Sequence, residues 1–257
     1  MVFDPLVFTG ISVLFQRISD YVRNGSYRWT SGEVPLDRAF ALVQKFCALY
    51  RVDANRGQQL RLKRSGIASA HLLMYARRPD AGAKPSTILW FLLISDGEHP
   101  AALVEKLWDA HAPGERIRVN GYELLQLPRK GTGTPAWTWR MTTEKYQTWR
   151  DRVIECARKP ALRAEHDIAR RLYSVPGFAG IRSQVGFLVG LWRKEWKRRR
   201  AAADAFPPLP RQLRYVQRLK STGVRLSQLT RDAARAAESV PASAPAPHQQ
   251  AHQDDSK

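Results

Sequence analysis

Cationic side chains crowd the segment 181–220, which contains eleven Lys and Arg residues and only two acids. Like charges one helical turn apart repel each other, so a solvated helix surface usually mixes both signs. Clustered Arg and Lys side chains neutralise phosphates and release counterions, which is the chemistry of nucleic-acid binding. A plain surface helix and an anionic membrane surface are the alternatives. The predicted nucleic-acid contacts in this segment are Arg182, Arg193, Lys194, Lys197, Arg198, Arg199, Arg200, Arg211, Arg214, Arg218 and Lys220.

A second cationic group lies in the glycine-containing loop 128–135 (PRKGTGTP). Arg129 and Lys130 stand beside Gly131, and glycine allows a backbone to approach a phosphate closely. The loop lacks the Gly-Lys-Ser/Thr ending of a nucleotide-binding P-loop. We therefore add Arg129 and Lys130 to the predicted nucleic-acid contacts, with an ordinary hairpin loop as the alternative.

Metal-independent cleavage of RNA is the reaction that these residue types could support. The six histidines and two cysteines form no HxH, HExxH or CxxC spacing, so neither a metal site nor a cofactor is predicted. RNA carries its own nucleophile: a base removes the 2′-hydroxyl proton, the oxygen attacks the adjacent phosphorus, and cations stabilise the phosphorane. Arg23 and Arg38, which have tyrosines near them in the sequence, are the candidate catalytic cations.

The whole chain is strongly basic. Its 257 residues contain 42 Lys and Arg against 23 Asp and Glu, a formal net charge of +19. Such self-repulsion in a folded protein indicates an anionic partner, which could be nucleic acid, an anionic membrane or an acidic protein. A hydrophobic content of 44% is sufficient for a sizeable core. Cys47 and Cys156 fit free thiols in a reducing compartment. No signal peptide or membrane-spanning run is recognisable, so a cytoplasmic protein without a membrane partner is predicted.

Apolar periodicity predicts several elements in the first half of the chain. A helix is predicted over 37–51, followed by strands over 68–77 and 87–95 that a Pro- and Gly-containing loop joins. A short helix begins at Pro100. The segment 7–15 fits either a strand or a short helix.

Further strands are predicted towards residue 142. The Asn120-Gly121 dipeptide is typical of a two-residue hairpin turn within 116–127, and 136–141 alternates as another strand. With 7–15 taken as the first strand, the order is strand, helix, strand, strand, helix, strand. This order predicts an α+β fold whose core, over 1–142, has the ferredoxin-like βαββαβ plan of RNA-recognition modules.

The remainder of the chain has a helical pattern. It predicts an arginine-rich, nucleic-acid-binding region over 143–238, with a long helix over 181–203 and a further helix over 211–220. The Pro-, Ala- and Gln-rich segment 239–257 predicts a disordered tail.

The late basic segment 186–220 (GFLVGLWRKEWKRRR…RQLRYVQRLK) follows the predicted ferredoxin-like core. This combination resembles the CRISPR repeat-processing endoribonucleases, especially the plasmid-borne type IV branch with its arginine-rich helical finger. The histidine that this family often carries on its first helix is missing from 37–51. The resemblance implies arginine-assisted, metal-independent cleavage of a repeat hairpin, with Arg23 and Arg38 as the candidates. The family's usual glycine-rich motif near the C-terminal end of the core is also missing, and its only loose substitutes are Gly177, Gly180, Gly186 and Gly190.

The predicted function is therefore RNA binding, in particular as a metal-independent endoribonuclease that processes a structured RNA such as a CRISPR repeat transcript and leaves a 2′,3′-cyclic phosphate. Nucleic acid is the predicted partner, with RNA favoured over DNA, and subunits of a ribonucleoprotein complex are candidate further partners. The alternative is a DNA-binding accessory protein of a plasmid or integrative mobile element with no catalytic activity.

Overall fold

The computed structural model describes most of the chain. Lys130, Arg200 and the predicted tail 239–257 lie outside the described residues. Within the described part of the chain, no helix is both long enough and apolar enough to cross a membrane. The described residues are 3–76, 86–129, 131–158, 162–199 and 205–238.

These residues form a mixed α+β structure, which confirms the predicted fold class at that level. The strands are β1 (Leu6–Phe8), β2 (Arg28–Pro35), β3 (Ala70–Tyr75), β4 (Thr87–Ile94), β5 (Trp108–Asp109), β6 (Arg118–Val119), β7 (Tyr122–Pro128), β8 (Pro135–Met141) and β9 (Gly223–Arg225). The helices are α1 (Ile11–Arg23), α2 (Ala39–Tyr50), α3 (Arg56–Arg64), α4 (Ala101–Val104), α5 (Thr143–Arg158), α6 (Leu162–Leu172), α7 (Ala179–Arg199) and α8 (Leu226–Glu238).

A six-stranded sheet has the order β5-β2-β4-β3-β1-β9. Strand β4 lies between β2 and β3 and runs antiparallel to both, and β5 is antiparallel to β2. Strand β1 is parallel to β3, and β9 is antiparallel to β1. The helix predicted over 37–51 and the strands predicted over 68–77 and 87–95 are confirmed as α2, β3 and β4.

Two other segments differ from the prediction for this sheet. Most of 7–15 belongs to α1, and the strand that precedes α2 is the unpredicted β2. The sequence of β2 has no apolar alternation from which a strand could be predicted. Its central residue, Gly32, lies opposite Trp90, where an added Cβ would be 2.7 Å from the indole ring. At the edge of the sheet next to β2, the two-residue strand β5 occupies the position that the predicted ferredoxin-like plan gave to a strand within 116–127.

The second sheet is three-stranded and has the order β6-β7-β8. Asn120 and Gly121 adopt φ angles of 49° and 75°, the left-handed conformation that a tight two-residue hairpin turn requires. The predicted hairpin is therefore confirmed, and so is the strand that follows it, β8. Trp139 of β8 is fully buried and stacks on Phe15 of α1 with ring centroids 3.9 Å apart, so the sheet packs on α1.

Helix α7 occupies 179–199, close to the long helix predicted over 181–203. The helix predicted over 211–220 is wrong. The described residues 205–222, which we call the strap, contain no helix or strand.

The strap is extended because side chains of α1 satisfy its backbone. The Gln16 amide donates to the Gln217 carbonyl oxygen at 2.7 Å and accepts from the Leu219 amide at 3.0 Å. The Arg17 guanidinium donates to the Leu219 carbonyl oxygen at 2.5 Å. These bonds replace those of a helix, and they fix the strap across α1.

The largest cluster of buried side chains draws on both sides of position 142. It contains Phe15 and Trp139 from the earlier part of the chain and Val153, Trp192 and Leu213 from the later part. Helices α5 and α7 therefore share one core with α1 and the second sheet.

Candidate nucleic-acid interface

A cleft of about 960 Å³ lies between α7, the strap and the β7–β8 hairpin. Helix α7 forms one wall, strap residues 211–216 form a second, and the loop end of the hairpin forms a third. The C-terminal end of α1 closes one side. Five arginines from these four parts of the chain line the cleft, which we call the arginine cleft. They are Arg23, Arg129, Arg182, Arg193 and Arg211.

The arginine cleft carries charge of one sign. Among the described residues that line it there is no Asp, Glu or His. Arg23, Arg129, Arg193 and Arg211 are exposed, and no carboxylate of the described residues forms an ion pair with them. A concave surface of one charge concentrates the potential of its groups, and the guanidinium fork matches the geometry of phosphate oxygens. The arrangement therefore favours a polyanion.

The wall formed by α7 is open because two interior positions of this helix are glycine. A Cβ atom added to Gly186 or Gly190 would meet no atom within 4 Å. Glycine inside a helix costs about 1 kcal/mol relative to alanine. These glycines therefore do not serve the helix or its packing, and they leave space along the cleft between Arg182 and Arg193.

Arg182 is fixed in place at the junction of α7 and the strap. Its Nε donates to the Leu213 carbonyl oxygen at 2.6 Å, and its terminal nitrogen lies 3.3 Å from the Gln212 side-chain oxygen. The guanidinium carbon lies 3.4 Å from the ring centroid of Tyr215. The tyrosine is nevertheless 64% exposed, so the other face of its ring is open. The strap thus presents a supported aromatic ring at the cleft.

The two candidate catalytic arginines are not brought together. Arg23 lines the arginine cleft and donates to the Trp137 carbonyl oxygen at 3.2 Å. Arg38 follows the far end of β2, an eight-residue strand about 23 Å long, and it does not line the arginine cleft. The cleft therefore holds only one of the two candidates.

The predicted contacts in the strap divide into three kinds. Arg211 lines the cleft, whereas Arg214 and Lys220 are exposed outside its lining. Arg218 instead holds the strap on α1, because its guanidinium donates to both Asp20 carboxylate oxygens at 2.7 Å. This bond to Asp20 raises the pKa of Arg218.

The last turns of α7 carry the predicted contacts that lie outside the cleft lining. Lys194, Lys197, Arg198 and Arg199 are all exposed. Arg198 pairs with Glu195 at 2.6 Å one turn earlier. These cations extend the positive surface beyond the cleft, next to Arg193.

An aromatic group with one imidazole lies beside Arg23. The His111 ring centroid is 4.9 Å from that of Trp137, which lines the cleft, and 4.9 Å from that of Tyr27. The Tyr27 hydroxyl donates to the Asp96 carboxylate, which raises the pKa of Tyr27. Sequence reasoning missed His111 because its neighbours are Tyr27, just before β2, and Trp137 of β8, and neither is near it in the chain.

Tyr173 and Tyr215 are the described hydroxyl-bearing aromatic residues of the cleft lining. Burial raises the pKa of Tyr173, and the positive charge of Arg193 opposes this change only in part. Tyr173 therefore stays protonated at neutral pH and can donate a hydrogen bond to an anion. The described residues contain no group of three or more His, Cys, Asp or Glu side chains that could hold a metal ion.

No protein family, no curated protein and no solved structure matches the chain. The interpretation of the arginine cleft therefore depends on its own residues.

Proposed function

We propose that this protein binds nucleic acid, with RNA favoured over DNA, in the arginine cleft. The observation that carries the proposal is the convergence of five arginines from four parts of the chain on a concave surface whose described lining contains no acid. A phosphodiester backbone is the ligand that matches several guanidinium groups at once, since each can neutralise one phosphate. The exposed cations at the end of α7 continue the same surface.

We also propose that strands β2 to β5 form the ferredoxin-like unit expected from the sequence. Its support is the order β5-β2-β4-β3, with all neighbours antiparallel and with α2 connecting the two strands that flank β4. RNA-recognition modules share this plan, which favours RNA as the partner.

Cleavage of the bound RNA is the reaction that we propose for the end of the cleft near Arg23. There His111 accepts the proton of the 2′-hydroxyl group, the 2′-oxygen attacks the adjacent phosphorus, and Arg23 stabilises the phosphorane. The bond from phosphorus to the 5′-oxygen then breaks, and the 5′-oxygen takes up a proton from water. Incubation of a hairpin RNA in EDTA should give an upstream fragment with a 2′,3′-cyclic phosphate. The H111A and R23Q variants should lose the activity, and R38Q should keep it. Persistence of full-length RNA across a panel of hairpins would refute cleavage without affecting the proposed binding.

A DNA-binding accessory protein without catalytic activity is the second candidate. It is favoured by the lining of the cleft, whose described residues include no carboxylate or imidazole that could act as a base. A gel-shift competition between duplex DNA and hairpin RNA at equal salt concentration separates the two. Displacement of bound RNA by an equimolar amount of duplex DNA would support this second candidate.

The binding proposal is tested by removing the exposed arginines of the cleft. The triple variant R129Q/R193Q/R211Q should bind a labelled RNA more weakly, and the slope of log K against log salt should flatten by about 2, because each lost phosphate contact contributes about 0.7. An equal flattening in a control variant would show that the cleft is not the site. The control removes the same charge from exposed positions of α3 and consists of R56Q, K63Q and R64Q.

A further inference from the structure

We infer that the arginine cleft holds an unpaired segment of the nucleic-acid strand and that one of its bases stacks on Tyr215. This inference rests on the proposed function and specifies the form of nucleic acid that the site accepts. Its basis is the combination of a concave site, a supported aromatic ring and unpaired cations within one surface.

The concave shape argues against a duplex as the occupant of the cleft. Proteins that read a DNA duplex insert a helix or a two-stranded ribbon into a groove about 12 Å wide, so the protein surface protrudes. An RNA duplex is contacted across its wide, shallow minor groove and its phosphates, which likewise does not require a recess. Here the arginines line a recess between α7 and the strap, and the glycines at positions 186 and 190 widen it. A single strand can enter such a recess, whereas the backbones of a duplex stay at its rim.

Tyr215 provides the stacking surface. The guanidinium of Arg182 covers one face of its ring at 3.4 Å, and the bonds from Arg182 to Leu213 and Gln212 hold that guanidinium still. The ring nevertheless remains 64% exposed. Large exposed aromatic side chains on a charged groove are the usual platforms for unpaired bases, because every base has a π face. A base on the open face would complete a stack in which the Tyr215 ring lies between the Arg182 guanidinium and the base.

The backbone of the strand is served by the other cations of the cleft. Arg129, Arg193 and Arg211 are exposed and form no ion pair with a described carboxylate, and they lie on the three different walls that surround the recess. Phosphates on either side of the stacked nucleotide can therefore contact guanidinium groups. Stacking supplies a contribution that does not depend on salt, and the arginines supply one that does.

The test compares a labelled single-stranded 12-nucleotide RNA with the same strand annealed to its complement, by fluorescence anisotropy. Unaltered protein should prefer the single strand. The Y215A variant should lose about tenfold in affinity for it, Y215F should keep the affinity, and the salt slope should stay the same in both. The matched control is F187A, which removes an aromatic side chain of α7 that is 68% exposed and lies outside the cleft lining; it should leave the affinity unchanged.

A 2-aminopurine base in the single strand gives a second measurement, because stacking quenches its fluorescence. Quenching that is present with unaltered protein and absent with Y215A supports the inference. Tighter binding of the duplex, or an unchanged affinity of Y215A, overturns the inference and leaves the proposed function intact. Binding of neither RNA would overturn both.

Discussion

Replacing Gly186 and Gly190 by alanine should stabilise the protein and at the same time weaken its binding of nucleic acid. Both positions lie inside α7 without a positive φ, and an added Cβ meets nothing within 4 Å. Alanine is favoured over glycine by about 1 kcal/mol at each site, so the double variant gains about 2 kcal/mol. For a chain of this size, the gain corresponds to a rise in Tm of about 4–8 °C.

Affinity for RNA should fall, because the two added methyl groups project into the part of the cleft that the proposal gives to the nucleic-acid strand. A pair of leucines should fill this space more completely, because leucine adds three further carbons at each position. Leucine is also a good helix former, so α7 should tolerate the change. Calorimetry gives the change in Tm, and anisotropy with a labelled RNA gives the affinity. G57A is the control, since Gly57 lies in α3, away from the cleft, and an added Cβ there makes only an ordinary contact of 3.4 Å. It should leave binding unchanged.

Two results would refute this reasoning. If the leucine pair binds RNA as tightly as the unaltered protein, the strand does not lie along α7 and the arginine cleft is not the site. If the alanine pair lowers Tm, the glycines are required by the helix, and their presence carries no information about a ligand.

Three other changes should act on stability through separate parts of the fold. Burial lowers the pKa of His71 to about 4 from 6.5. Between these pH values the unfolded chain takes up a proton that the folded chain does not. The free energy of unfolding should therefore fall by roughly 3 kcal/mol as the pH drops from 6.5 towards 4. Denaturant titrations of H71Q across this range should show a smaller fall. The E123Q variant should lose about 2 kcal/mol in urea unfolding, because the buried Glu123 carboxylate receives a 2.6 Å charged hydrogen bond from Arg140. In the G177A variant the added Cβ would lie 1.9 Å from the Arg214 carbonyl oxygen and must displace the strap. Its free energy of unfolding should therefore fall by about 2 kcal/mol, and it should bind RNA more weakly. A destabilised G177A that still binds RNA tightly would contradict this.

Local patterns in the sequence predicted those elements whose bonds are local. Helix α2 follows from the apolar spacing between Phe40 and Tyr50, and the β6–β7 turn follows from the left-handed preference of Asn120-Gly121. Strand β2 was missed because its central glycine is required by an indole almost sixty residues away, on β4. Its sequence alone has no feature that reveals this partner.

The strap shows how long-range bonds override a helical pattern. Leu213, Val216 and Leu219 are spaced three apart, which favours a helix. The segment is extended because Gln16 and Arg17 supply hydrogen bonds to its backbone from about 200 residues earlier in the chain. Tertiary bonds of this kind are invisible in a local pattern.

The candidate site was predicted in part. The density of arginines indicated a polyanion, and Arg129, Arg182, Arg193 and Arg211 do line one cleft together with Arg23. What the sequence could not show is which of the late cations face the recess and which are paired elsewhere, because that depends on the path of the strap. The contribution of Tyr215 was missed for the same reason.

Of the walls of the cleft, the strap is the one that is synthesised last. Residues 217 and 219 bond to Gln16, which has been synthesised about 200 residues earlier. At 5–20 residues per second, α1 is synthesised about 10–40 s before the strap segment that bonds to it. The cleft therefore gains its last wall, and with it Tyr215, only when almost the whole described chain has been made.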